Sequence, residues 1–349
     1  METKIVIMEE NKIDERSIEE AAKVIRDGGL VAFPTETVYG LGANALEEEA
    51  VKNIFKVKGR PQDNPLIIHV ADYGIEEYVK DIPEIAKRVM EEFWPGPITL
   101  VLNKSDKVPD ITSAGLDTIG VRMPSDKIAR ELIMKSGVPI AAPSANISGR
   151  PSPTEVGRCI EDLNGKIEYI LGGKGSQVGL ESTILDCTVD PPCVLRPGAV
   201  TLEMLRKIHS KIYIDPAVME KPKDNLRPKA PGMKYRHYAP KAPLKIVRGD
   251  LKKTIAKINE MVQNYIDDGK TVGIMATNET KESYTNGIVL SLGSRKNLDN
   301  IAKNLFEVLR SFDDKGVDFI LSEGFEELGI GIAIMNRLKK SAGFDILDV

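Results

Sequence analysis

Two hydrophobic rhythms alternate along the chain. In SIEEAAKVIRDGG, Ile18, Ala21, Ala22 and Ile25 recur at three- and four-residue steps, which predicts a helix with one apolar stripe. Ser17 and Glu20 have capping-box spacing at its start, and Gly28 or Gly29 ends it. LVAFP (30–34) is a short apolar run stopped by Pro34 and predicts a buried strand. NPLIIHVAD (64–72), DTIGVRMP (117–124) and VPIAAP (138–143) predict further strands, with helix-period segments between several of them. The pattern is that of an α/β protein around an open sheet.

The same rhythm resumes near the C-terminal end. LKIVRG (244–249), TVGIMAT (271–277), GIVLSLG (287–293) and VDFILSEG (317–324) predict strands, and KKTIAKINEMVQNYIDDG and NLDNIAKNLFEVLRSFDDKG predict amphipathic helices between them. This predicts a small parallel α/β unit. In between, KIYIDPAVMEKPKDNLRPKAPGMKYRHYAPKAP holds six prolines and little periodicity, the composition of a linker. The expected organisation is therefore a first domain over 1–210, a proline-rich linker over 211–242 and a second domain over 243–349.

Composition narrows the class. With 349 residues, 42% apolar and 29% charged, the chain has the balance of a globular protein with two cores. The longest apolar runs fall short of the roughly 20 residues that span a bilayer, and the start reads as no signal peptide. Three cysteines lack disulfide or zinc spacing, which predicts a cytoplasmic protein. A net charge of -4 argues against a protein whose main task is coating nucleic acid.

Several stretches carry candidate chemistry. GGKGSQ (172–177) fails the P-loop pattern after its lysine. Gly40, Gly42 and Ala45 fit G-x-G-x-x-A, but PTETVY separates them from the preceding strand, so a dinucleotide site fits poorly. PTETVYG (34–40) gathers hydroxyls, a carboxylate and a phenol past a strand end; a ligand site and a self-satisfied polar turn are both open. Lys58 and Arg60 flank a glycine, and in an extended segment they point the same way, which suits a polyphosphate; a solvated basic turn is the plainer alternative.

PSANISGRPSPT (143–154) supplies Ser144, Asn146, Ser148 and Ser152 with free backbone N–H groups, a loop able to cradle anionic oxygens. Arg122 lies in an apolar strand and needs a partner, either a protein carboxylate or an anionic ligand. The same holds for Glu181, Ser182 and Arg196 beside their strands. His69 reads more simply as a hydrogen-bonded core histidine, and Trp94 as a core anchor.

PTETVYGLGANA, the Lys58-Gly59-Arg60 triplet, WPGPITLVL, VRMP, PSANISGRPSPT and GLESTILD, in this order, closely resemble the threonylcarbamoyl-AMP synthase family. The resemblance extends through APGMKYRHYAP to GIGIAIMNRLKKSAG, so it indicates the long, two-domain form. Its most diagnostic part is K-x-R followed by S-x-N, here Lys58, Arg60, Ser144 and Asn146, the expected catalytic set. The family makes threonylcarbamoyl-adenylate from L-threonine, bicarbonate or CO2, and ATP, releasing pyrophosphate, and the product feeds tRNA modification next to the anticodon.

The resemblance implies a twisted, open mixed α/β sheet (YrdC-like) with a large concave face, followed by a small Rossmann-like domain. It implies that Thr37, His69, Arg122, Ala142 and Ser182 line the threonine and carbamate site. It further implies that Arg60, Asn64, Thr118, Ser144, Ser152, Arg196 and Lys234 hold the nucleotide, with Lys58 and Asn146 beside them. Mg is expected to arrive on the ATP phosphates, with no dedicated protein metal site and no tightly bound organic cofactor. The expected partners are the three substrates and a downstream tRNA transferase, with tRNA bound at most weakly and no membrane contact.

Because a labile carbamate needs water exclusion, the linker is expected to fold over the site as a lid, with Lys234 and Arg236 adding charge and Tyr235 and Tyr238 adding bulk. The competing classes are a non-catalytic RNA-binding protein using the same basic face, a carbamoyl-phosphate-handling transferase and a dehydrogenase.

Overall fold

A computed structural model describes residues 2–221, 228–233 and 237–349. The chain divides into two compact units, one formed by residues 1–148 and 152–235 and the other by 149–151 and 236–349.

The first unit begins with β1 (Lys4–Ile7), α1 (Glu15–Arg26), β2 (Val31–Phe33) and β3 (Gly40–Asn44). There follow α2 (Glu48–Lys58), β4 (Ile67–His69), α3 (Glu84–Phe93), β5 (Ile98–Asn103) and α4 (Asp110–Ser113). Next come β6 (Thr118–Arg122), α5 (Lys127–Ser136), β7 (Ile140–Ala141), α6 (Val156–Leu163) and β8 (Tyr169–Gly172). The unit closes with β9 (Thr183–Asp186), β10 (Cys193–Arg196), α7 (Leu202–Ile208) and β11 (Tyr213–Ile214). Among the described residues these strands form one mixed sheet in the order β1-β8-β2-β3-β7-β4-β6-β5-β9-β10-β11.

Two sequence expectations shift here. Helix α1 is capped by Asp14, which accepts from the Arg16 amide and from the Ser17 hydroxyl; Ser17 lies inside the first turn. A carboxylate three residues upstream competes successfully for the same orphan N–H groups. The segment read as linker from residue 211 opens with an edge strand, since β11 pairs in parallel with β10.

Alternation along each strand sorts the sheet into two faces. Ala32, Ile68, Leu100, Ile119, Val121, Leu185 and Val194 point into the main core with Ile54, Phe55 and Trp94. On the opposite face, Val31, Phe33 and Leu171 are covered by Ile18, Ala22 and Ile25 of α1 and Leu132 of α5. The remainder of that face carries Ile67, Val101, Ile184 and Leu195, and the linker residues Ala230 and Met233 pack onto them.

The G-x-G-x-x-A stretch is strand β3, paired antiparallel to β2. A Cβ on Gly42 would lie 2.6 Å from Ile140 Cγ2 and 2.8 Å from Phe33 Cε1. Its glycine serves close strand packing, with no phosphate turn.

The second unit contains β12 (Leu244–Arg248), α8 (Leu251–Asp267), β13 (Val272–Ala276), β14 (Ile288–Ser291) and α9 (Leu298–Lys315). It ends with β15 (Phe319–Glu323), α10 (Ile330–Ser341) and β16 (Ile346–Asp348). All ladders among its described strands are parallel, in the order β14-β13-β15-β12-β16. Within this unit Arg310 donates through Nε and Nη2 to the Pro151 carbonyl at 3.1 and 2.8 Å.

Candidate active site

The site face is built from small steps of strand register. Parallel pairing of β4 with β6 sets His69 directly beside Arg122, and Ile67 beside Gly120. Thr118, Gly120 and Arg122 share the face opposite the main core, because Ile119 and Val121 enter that core. Thr118 therefore lies on the same side as Arg122 but about 13 Å along the strand, which separates two ends of one surface.

Arg122 is 4% exposed. Its partner is a carboxylate of the protein: Glu36 Oε1 lies 2.8 Å from Nη2. Sequence reading notes the carboxylate inside PTETVYG but does not assign Glu36 to Arg122, since nothing local in the chain links residues so far apart. His69 is buried, contacts the Ile140 carbonyl through Nδ1 at 3.3 Å and meets the Phe33 ring edge-on. Burial, with the neighbouring Arg122 charge, depresses its pKa to about 3, so the imidazole is neutral.

Thr37 is fully buried, its hydroxyl 2.8 Å from that of Thr35. Thr35 in turn donates to the Val38 carbonyl at 2.6 Å and accepts from the Thr37 and Val38 amides, so the TETV turn is closed on itself. Ala142 continues from β7, its amide donating to the Ile67 carbonyl. Ser182 shares its hydroxyl with Thr99 at 2.8 Å and accepts from Arg196 Nη2 at 3.1 Å, while Arg196 Nε donates to the Ser182 carbonyl at 2.9 Å. Ser152 donates to Glu181 at 2.6 Å.

The K-x-R triplet departs from the expected extended geometry. Lys58 is the last residue of α2, and Gly59 caps the helix in the left-handed conformation at φ 60°, where a Cβ is disfavoured. Lys58 and Arg60 therefore do not project as strand neighbours. Lys58 is 2% exposed, and its ammonium donates to the Ser144 carbonyl at 2.5 Å and to the Asn146 carbonyl. The amide of Ser148 returns to the Lys58 carbonyl. A buried ammonium with three donors is well suited to gathering carbonyls, so one lysine ties K-x-R to S-x-N across more than eighty residues.

Arg60 Nη2 reaches the Asn64 and Pro65 carbonyls at 3.3 and 3.1 Å, and Nε reaches Asn64 at 3.4 Å. Asn64 is buried with Oδ1 outside any hydrogen bond. The S-x-N loop is laced to the TETV segment: Leu41 donates to Pro143, Ala145 to Tyr39, and Tyr39 to Pro153. Thus Thr37, Lys58, Ser144, Asn146 and Ser152 come from three remote stretches onto one scaffold.

Lys234, Tyr235 and Arg236 lie outside the described residues. Tyr238 differs from the expected lid role. It stacks on Phe306 with ring centroids 5.1 Å apart, under the Arg337 guanidinium, inside the second unit. An apolar ring gains more from that buried stack than from solvent contact, so Tyr238 anchors the linker's end. Among the described residues no group of three or more His, Cys, Asp or Glu could hold a metal ion, and no helix is long and apolar enough to cross a membrane.

The fold class is an open mixed α/β sheet with the buried cations Lys58, Arg122 and Arg196 and a hydroxyl-rich loop tied to Lys58. The profile described as "Telomere recombination" (Sua5, YciO, YrdC) matches residues 23–198, and that described as "Threonylcarbamoyl-AMP synthase, C-terminal domain" matches 200–343. The chain is 51% identical over 346 residues to a threonylcarbamoyl-AMP synthase of Pyrococcus abyssi, covering 99% of both. It is 45% identical to one of Bacillus subtilis, covering 97% of this chain and 96% of the relative. The crystal structure of P. abyssi Sua5 complexed with L-threonine superposes with a TM-score of 0.94 at 51% identity, covering 99% of this chain and all of that one. This chain belongs to the threonylcarbamoyl-AMP synthase family, in its two-domain form.

Proposed function

We propose that the chain makes L-threonylcarbamoyl-AMP and pyrophosphate from L-threonine, ATP and bicarbonate or CO2, acting as a nucleotidyltransferase. The observation that carries this reading is the junction at Lys58, which holds the S-x-N loop against the hydroxyl-rich TETV turn. Threonine and carbamate occupy the Thr37, His69, Arg122, Ala142 and Ser182 region. The nucleotide lies along Arg60, Asn64, Thr118, Ser144, Ser152 and Arg196, with Lys58 and Asn146 beside it. Lys234 belongs to the same proposal.

In the reaction the amine nitrogen of threonine adds to the carbon of CO2 and gives up a proton, leaving a carbamate. A carbamate oxygen then attacks the α-phosphorus of ATP, and the bond to the β,γ-phosphates breaks to release pyrophosphate. Two anions must meet, and at about 4 Å with an effective dielectric of about 20 their repulsion is about 4 kcal/mol. Arg60, Arg196, Lys58 and Lys234 supply the opposing charge, with backbone N–H groups of the S-x-N loop. His69, being neutral, contributes hydrogen bonding and shape. Catalysis is positioning and electrostatic stabilisation, with no covalent enzyme intermediate. Magnesium enters on the ATP phosphates as part of the substrate.

Ala230 and Met233 on the site face support a linker that covers it and keeps water from the carbamate. A cytoplasmic location and delivery of the product to a tRNA transferase complete the proposal. The test is pyrophosphate release from ATP and bicarbonate with threonine, serine or no amino acid. Release with threonine well above the blank is expected, with serine slower by about ten- to a hundredfold, the scale of one methyl in an apolar pocket. No threonine-dependent release, together with steeply salt-dependent RNA binding, would replace this reading with the RNA-binding one.

A further inference from the structure

Glu36 meets Arg122 in a way that a structural ion pair does not. The oxygens Oε1 and Oε2 of Glu36, and Nε and Nη2 of Arg122, are all buried and none makes a hydrogen bond. The two groups stand 2.8 Å apart, yet the approach lacks hydrogen-bond alignment. Native buried pairs hydrogen-bond their remaining lone pairs and protons, because desolvation otherwise exceeds the Coulombic gain. Here two donors of the arginine and both oxygens of its counter-charge stay outside any hydrogen bond.

The backbone that carries the carboxylate is fixed. The Thr35 hydroxyl closes the turn around it, and the Glu36 carbonyl accepts from the Val178 amide at 2.8 Å. Glu36 also lines a cavity of about 360 Å³ with Glu10, Asp126 and Lys174. Glu36 thus presents its charge from a fixed turn to the guanidinium, where the paired strands β4 and β6 set His69 and Arg122 side by side.

We propose that Glu36 is a positioning residue for Arg122: it holds the guanidinium from one side so that its remaining donors take up the carboxylate of the amino-acid substrate. This rests on the function proposed above. A held arginine binds a planar carboxylate at lower ordering cost than a mobile one, so Glu36 acts on threonine affinity and leaves the nucleotide end untouched.

The test uses the full chain with Glu36→Gln and Glu36→Asp. L-threonine is titrated calorimetrically without ATP, and KM for threonine, KM for ATP and kcat come from pyrophosphate release. Glu36→Gln is expected to raise the threonine Kd and KM roughly tenfold, with KM for ATP and kcat within about twofold, and Glu36→Asp to recover part of the loss. Unchanged threonine affinity in Glu36→Gln overturns the proposal. So does a rise of both KM values together with a fall in kcat and in the melting temperature in both variants, the mark of a merely structural role. If Glu36→Gln does not fold, Glu36→Asp decides by the same selective rise in threonine KM. Failure of the underlying function shows separately, as wild-type protein that neither binds threonine nor releases pyrophosphate, and it removes this proposal too.

Discussion

Each unit buries a glutamate against an arginine near the end of a strand, and the two pairs are finished differently. In the second unit Glu323, fully buried at the end of β15, accepts from the hydroxyls of Thr280 and Tyr284, the latter at 2.7 Å, and pairs with Arg295. Arg295 also donates to the Gly324 carbonyl at 3.0 Å and lies over the Phe325 ring. Burial and the Glu323 charge push the Tyr284 phenol above its usual pKa, so the hydroxyl stays a donor. The Glu36–Arg122 pair of the first unit has no such completion. The difference lies in the carboxylates: Glu323 has both oxygens hydrogen-bonded although Arg295 Nε stays outside any hydrogen bond, whereas neither oxygen of Glu36 is bonded. A bonded carboxylate specifies packing, and an unbonded one keeps capacity for a ligand.

The sharpest way to break this comparison is Arg122→Gln. It removes the donors proposed to take the substrate carboxylate and leaves Glu36 without its counter-charge. Threonine-dependent pyrophosphate release is expected to fall by about a hundredfold or more; a rate near wild type would make the two pairs equivalent. Next in size is Glu323→Ala, which strands Arg295 and should cost about 3 kcal/mol of stability by urea unfolding. Its turnover per folded molecule at 25 °C should match wild type.

The smallest effect concerns Asp126, which caps α5 through the Ala129 amide at 2.9 Å and lines the same cavity as Glu36. Burial raises its pKa to about 7, against the Ala129 hydrogen bond, with Glu10 and Glu36 adding to the rise. Between its unfolded value of 3.8 and about 7 the native state holds the extra proton. The stability this contributes is complete below the lower value and is lost as pH rises through the upper one. Asp126→Asn keeps the cap without the charge. Relative to wild type, its melting temperature should therefore climb by about a few degrees between pH 5 and pH 8; a constant difference would show that Asp126 titrates normally.

Much of this was legible beforehand. The strands around Phe33, His69 and Arg122, the helix through Ile18 and Ile25, and the parallel second unit follow from apolar periodicity, which needs only local information. The K-x-R and S-x-N residues stood out for their chemistry. The reading of Lys58 and Arg60 as extended neighbours failed because Gly59 ends a helix there, a choice made by packing of Ile54 and Phe55 beneath it. Strand β3 escaped notice because GLGAN lacks β-branched residues; its glycines answer to Phe33 and Ile140, remote in the sequence. The lid reading stands differently at its two ends, with Met233 on the site face and Tyr238 anchored on Phe306.

What the residues determine by themselves is the inventory: which segments bury one face, where the turns fall, and which charges and hydroxyls are available. Which of these meet was decided only by the tertiary structure. Lys58 finds the Ser144 and Asn146 carbonyls, and Arg122 finds Glu36, through strand register and loop closure. The physical reason is that periodicity is a property of neighbours in the chain, while a buried charge takes its partner from whatever the folded core brings within reach.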